Sequence, residues 1–128
     1  MLEHFTVAVY RSNMSAAVGC GGVEVAMTEV EFTVPQGYGL SGAAALIEKA
    51  CRECNLRVST RTTLNSYPGC IHWHVKRGIQ PGTLEVTLWE AKRRVWASVQ
   101  DGRRAPWIDE ALPRVKDAVE TALRIAVS

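Results

Sequence analysis

Apolar and polar residues alternate most clearly between Cys70 and Gln100. A strand turns successive side chains to opposite faces, so a half-buried face shows up as every second residue. Ile71, Trp73 and Val75 share a face in IHWHVKR, Leu84, Val86 and Leu88 in TLEVTLWE, and Val95, Ala97 and Val99 in RVWASVQ. The pattern predicts three consecutive antiparallel strands with these residues turned to a core. Their other face bears Cys70, His72, His74, Glu85, Thr87, Trp89, Arg94, Trp96 and Ser98, a set richer in chemistry than a merely solvated surface needs.

The flanking patterns extend this sheet and supply its cover. Val30, Phe32 and Val34 alternate with Glu29, Glu31 and Thr33 in a strand ended by Pro35. Leu56, Val58 and Leu64 alternate with Arg57, Ser59, Arg61 and Thr63 in another. Between them, Ala43, Leu46, Ile47, Ala50 and Cys54 recur at helical spacing, opposite Glu48, Lys49, Arg52 and Glu53, which predicts a helix over 42–54 packed on the sheet. Ser41 is its expected N-cap and Asn55 its expected left-handed terminator. A second helix is predicted from Pro113 to about Val127, burying Val115, Val119, Ala122, Leu123 and Ala126. A proline inside a helix removes a hydrogen bond and clashes with the preceding turn, so 107–112 are expected to form a separate turn or to be set off by a kink.

The expected fold is an α+β two-layer sandwich, an antiparallel or mixed sheet of about five strands with two helices on one face. The strand at 29–34 either joins 56–64 through a parallel crossover or lies at the opposite edge. A slip of one residue would turn every apolar side chain outward, so the register is constrained by parity. Trp89 opposite Arg94 brings Val86 opposite Ala97 and Leu84 opposite Val99; Val75 then meets Leu84, and Leu64 meets Ile71. On the far face this gives one row of Arg61, His74, Glu85 and Ser98 and a second of Thr63, His72, Thr87 and Trp96. Residues 1–26 lack a coherent period apart from FTVAVY. They are read as an N-terminal extension, or as an extra edge strand, beside a single domain of 27–128.

Length and composition add bounds. A chain of 128 residues, 47% apolar and 22% charged, suits one globular domain. No apolar run approaches the roughly 20 residues that span a bilayer, and Glu3 and His4 stand where a secretory leader would have Lys or Arg. A cytoplasmic location without membrane contact is expected, with the four cysteines as free thiols. A net charge of +2 is too small to argue for nucleic acid by itself.

The far face holds the candidate chemistry. Trp89 and Trp96 on neighbouring strands suggest an apolar patch. With Arg61, Arg94, His72 and His74 they make up a candidate binding surface, and a non-enzymatic binding module that self-associates as a homodimer is the leading expectation. The alternative is a small enzyme or ligand-binding protein in which His74, beside Glu85, works with His72. The plainer account of those charges is cross-strand pairing at about 0.2–1 kcal/mol a pair. Cys70, His72 and His74 are metal-compatible donors, but alternate strand positions stand roughly 7 Å apart and a fourth ligand is not evident, so no metal and no cofactor are assigned. Cys51 and Cys54 form a C-x-x-C on the helix side, read as incidental thiols. The basic clusters 76–77, 92–94 and 103–104, interleaved with aromatics, suggest single-stranded nucleic acid more weakly, because they fall at opposite ends of the sheet. The Gly-rich runs GCGG and QGYGLSG match no phosphate loop and are assigned to turns.

Overall fold

The alternation folds into six strands and two helices among the residues that the structure, a computed structural model, describes: 9–12, 26–37 and 40–127. The strands are β1 (Val9–Ser12), β2 (Ala26–Phe32), β3 (Arg57–Leu64), β4 (Tyr67–Lys76), β5 (Leu84–Trp89) and β6 (Arg94–Gln100). The helices are α1 (Ala43–Glu53) and α2 (Pro106–Val127). The sheet runs β1-β2-β6-β5-β4-β3. Every neighbouring pair is antiparallel. The mixed sheet is therefore not adopted, and β2 lies beside β6 rather than beside β3. Val9 and Tyr10 of FTVAVY fall in β1; the rest of that segment lies outside the described residues.

Both helices pack on one face. Val30, Phe32, Trp73, Val75, Leu84, Val86, Leu88, Val95, Ala97 and Val99 of the sheet are buried with Ile47, Ala50, Ile108, Val115, Val119 and Leu123 of the helices. Burial of each large side chain is worth about 1.5–3 kcal/mol, which is why the parity of β4, β5 and β6 holds. Val75 pairs with Leu84 and Val86 with Ala97, and Trp89 pairs with Arg94, as the alternation requires.

Three local expectations are corrected. Helix α1 is capped by Gly42 rather than Ser41: Gly42 sits at φ +84° with no side-chain cap bond. Glycine takes this conformation without a Cβ penalty, so the backbone makes the turn. Leu40 also holds a positive φ, of 63°, kept by its complete burial in the core. Helix α2 runs unbroken through Pro113. Its first turns bury Trp107, Ile108, Ala111 and Leu112, and that apolar burial outweighs the one lost backbone bond; Pro106 occupies a first-turn position suited to proline. Ala126, expected in the stripe, is exposed.

The third correction reverses a face. Val58 pairs with Val75 but Thr60 pairs with His74, so β3 advances two residues while β4 advances one. Such a bulge inverts the alternation beyond it. Arg61 is thereby placed opposite Trp73, on the helix side, and Thr62 rather than Thr63 stands opposite His72. A second shift pairs Leu64 with Tyr67 instead of Ile71. The Ser59 hydroxyl at the first bulge donates to the His74 carbonyl (3.2 Å), tying the edge strand to the backbone of the site.

Candidate functional site

The face away from the helices gathers its polar residues by register. Across β4 and β5, His74 stands opposite Glu85 and His72 opposite Thr87. Across β5 and β6, Glu85 meets Ser98 and Thr87 meets Trp96. Two histidines spaced i, i+2 on one strand and a glutamate on the next therefore project together. One donor atom each from His72, His74 and Glu85 lies within 4.8 Å of the others.

His72 is fixed at both ring nitrogens. Nε2 lies 3.2 Å from Glu85 Oε1, and Nδ1 lies 2.8 Å from Thr87 Oγ1. The other oxygen of Glu85 accepts from Gln100 Nε2 at 3.1 Å and from the Arg103 guanidinium at 3.5 Å. His74 sits edge-on to His72 with ring centroids 5.2 Å apart. Its ring makes no hydrogen bond among the described residues, so its nitrogens remain open to a ligand. His72 and Glu85 are each 5% exposed, whereas His74 is half-buried.

Electrostatics sets the two groups in opposite senses. Burial opposes ionisation of Glu85, but the hydrogen bond to His72 and the charges of His72, His74 and Arg103 together hold its carboxyl below the ordinary range. Burial, with His72, Arg103 and Lys76 nearby, depresses the His74 imidazolium despite the opposing pull of Glu85. The Glu85 carboxylate thus favours its ionised form and the His74 imidazole its neutral one.

The aromatic end of the face is largely closed. Tyr67 meets Trp89 and Trp96 edge-on at centroid distances of 4.9 and 5.1 Å. Arg94 lies over the Trp96 ring at 4.3 Å, pinned by two 2.9 Å bonds to Glu31. Trp96 is only 3% exposed and Trp89 half-buried, its indole N–H donating to the Pro68 carbonyl. Of the expected residues, the structure brings His72, His74 and Glu85 together, sets Trp96 in the cross-strand row of Thr87 and His72 with Trp89 and Arg94 in the next row, and places Arg61 on the opposite side. There Arg61 bonds Glu48 at 2.7 Å and lies over Trp73.

Cys70 does not join the histidines. Its sulfur accepts from the Leu64 N–H at 3.4 Å, beside the Thr63 hydroxyl. Burial, reinforced by Cys54 and Glu48, pushes the Cys51 thiol up to about 12, and burial raises Cys54 too. Neither offers a thiolate at neutral pH. Several members of the basic clusters are tied to carboxylates, Arg77 to Glu110 and Arg104 to Asp101 and Asp109. A groove of about 380 Å³ lies on the helix layer, lined by residues such as Lys49, Asp117 and Ile125, away from the histidines.

The sequence singles out neither Gln100 nor Tyr67, and Arg103 only as part of a basic cluster. Gln100 follows the parity of β6 and was legible in principle. Arg103 and Tyr67 lie in a 3-10 turn and beside an irregular hairpin, where period carries no information. No family model, curated protein or solved structure matches the chain. What fold and site define is an α+β sandwich with a His/His/Glu cluster on the sheet face its helices leave free. No helix among the described residues is long and apolar enough to cross a membrane.

Proposed function

We propose that this protein binds a divalent transition-metal ion of the zinc type through His72, His74 and Glu85, and that the ion's remaining positions serve a small ligand or substrate. The observation that carries this reading is the convergence of the three donor atoms within 4.8 Å. A tetrahedral ion with bonds of about 2.1 Å needs ligand atoms roughly 3.4 Å apart. The His72–Glu85 pair is already at 3.2 Å, and a side-chain rotation of His74 closes the third side. Two nitrogens and one carboxylate oxygen form the donor set of centres that keep open positions rather than closed structural ones.

The surrounding groups support it. An ion taking the place of the proton between His72 Nε2 and Glu85 would leave Nδ1–H to donate to Thr87 Oγ1, 2.8 Å away, the usual outer-shell arrangement of a metal-bound imidazole. Gln100 and Arg103 orient the carboxylate in the same manner. An ion held there would act as a Lewis acid and bring a bound water's pKa toward about 7, enough for hydrolytic chemistry at neutral pH. This departs from the sequence expectation of no metal. The alternative drawn from the sequence, a His/Glu site, gains more from this geometry than the expected homodimer does, since Trp96 is buried within its own chain.

Titration with Co²⁺, followed by visible absorption and with Zn²⁺ as competitor, tests the reading. Wild type should bind stoichiometrically. His74→Ala, which breaks no ring hydrogen bond among the described residues, should keep its circular dichroism and lose more affinity than the about 10–100-fold typical of an outer-shell change. A wild type that binds no Co²⁺, or a variant that binds it equally well, refutes the centre and leaves His72, Glu85 and Thr87 as a polar packing relay.

A further inference from the structure

We infer that the external ligand of this centre is a small oxyanion, held jointly by the metal ion and the Arg103 guanidinium. The inference rests on the metal reading above and names the ligand class of that same site. Arg103 follows β6 in a 3-10 turn, and one of its nitrogens stands 3.5 Å from Glu85 Oε2 while its side chain is 45% exposed. A guanidinium has five N–H donors in a planar fork. Glu85 engages one edge of it, and the exposed remainder stands beside the ligand set with the geometry that pairs with carboxylate or phosphate oxygens.

A second cation is fixed at the same end. Lys76 lies two residues beyond His74 on β4, hence on the same face, and its ammonium donates to the Gly82 carbonyl (2.9 Å) and Thr83 hydroxyl (3.2 Å). Facing Arg103 and Lys76 are two carboxylates, Glu85 and, across β6, Glu29 opposite Ser98. A divalent ion added to that balance leaves the loaded centre cationic, so it selects an anion. Burial selects size: with His72 and Glu85 at 5% exposure and His74 half-buried, the site suits a group of a few atoms. An oxyanion has oxygens enough to place one on the ion and another on Arg103.

Acetate and sulfate are the probes, one for a carboxylate source and one for a tetrahedral oxyanion. Each is titrated into protein saturated with Co²⁺, with saturation established separately for every variant. Wild type and Arg114→Gln, which removes an equal charge from the helix layer, should show a saturable change in the cobalt spectrum. Arg103→Gln should weaken anion binding about tenfold or more, the loss of a charge-assisted bond. Lys76→Gln should weaken it less, as a charge without contact. Preference between the probes identifies the source. Co²⁺ binding without any spectral response to either anion, or an equal response in Arg103→Gln, overturns the inference while sparing the metal centre. Absence of Co²⁺ binding removes both.

Discussion

The two faces of this sheet are both buried at their centres, by opposite means. On the helix side Val75, Leu84, Val86, Val95 and Val99 are fully covered by apolar neighbours. On the other, Thr87 is 0% exposed and Ser98 4%, beside His72 and Glu85. Burial of the first kind stabilises by area and tolerates volume-conserving exchange. Burial of the second kind stabilises little in net terms and costs heavily when one partner is removed, because the group left behind is desolvated and unpaired.

Substitutions can break this comparison in graded steps, and the largest effect is expected on the helix side. Trp73 is buried, its indole N–H donating at 2.7 Å to Glu48, which also holds Arg61. Trp73→Ala should cost about 3–5 kcal/mol in urea unfolding. Trp73→Phe should recover most of that and leave a deficit of about 1 kcal/mol for the lost bond. An equal cost for both would mean that the indole bond, not volume, governs this face.

Glu85 ranks second. In metal-free protein held with a chelator, Glu85→Ala strands His72, Gln100 and the edge of Arg103, at about 1–3 kcal/mol. The sign of its pH dependence follows from its depressed carboxyl. The folded state favours the ionised form, so the contribution is present above the ordinary carboxylate range and is lost as pH falls through the lower folded value. Glu85→Gln should therefore flatten the acid limb of the stability profile, measured by urea midpoints from neutral pH downward. An unchanged limb would place the acid sensitivity elsewhere. Thr87→Val, nearly isosteric, should cost only about 1 kcal/mol, yet weaken Co²⁺ binding about 10–100-fold by freeing the His72 ring. Loss of stability without loss of affinity would reduce Thr87 to packing.

These substitutions also mark how much could be read from the sequence. The strands β4, β5 and β6 were legible to the pairing of Trp89 with Arg94, because apolar burial on one face penalises any odd slip. Strand β3 was not: it lies at the edge, mostly exposed, where Arg, Ser and Thr give parity no energetic weight, and one extra residue near Ser59 carried Arg61 to the other side. Gly42 displaced Ser41 because a backbone turn leaves no trace in side-chain periodicity. Pro113 misled in the opposite direction, since its local cost was visible and the burial of Trp107 and Ile108 was not. Parity placed His72, His74 and Glu85 on one face and His74 opposite Glu85, as the structure has them; what it did not show is that Cys70 is engaged by the Leu64 N–H beside the irregular β3–β4 pairing.

The smallest expected effect belongs to the aromatic end, and it tests whether that end is part of the site. Arg94 makes two 2.9 Å bonds to Glu31, and the paired side chains are 38% and 49% exposed. An ion pair so open to solvent contributes about 0–1 kcal/mol, and a guanidinium that is itself part-exposed, over the buried Trp96 ring, adds about 0.5–1 kcal/mol. Arg94→Gln, which keeps a hydrogen-bonding group, should therefore lose about 1 kcal/mol, with part of the difference vanishing at high salt. What should change more is access: Arg94 and Tyr67 lie against Trp96, so acrylamide quenching of the indole should rise in Arg94→Gln, while Co²⁺ affinity stays at the wild-type value. A fall in metal affinity would join the two ends of the face into one functional surface. Unchanged affinity with raised quenching keeps them separate, the tryptophans as the face's own cover and the histidines as its chemistry.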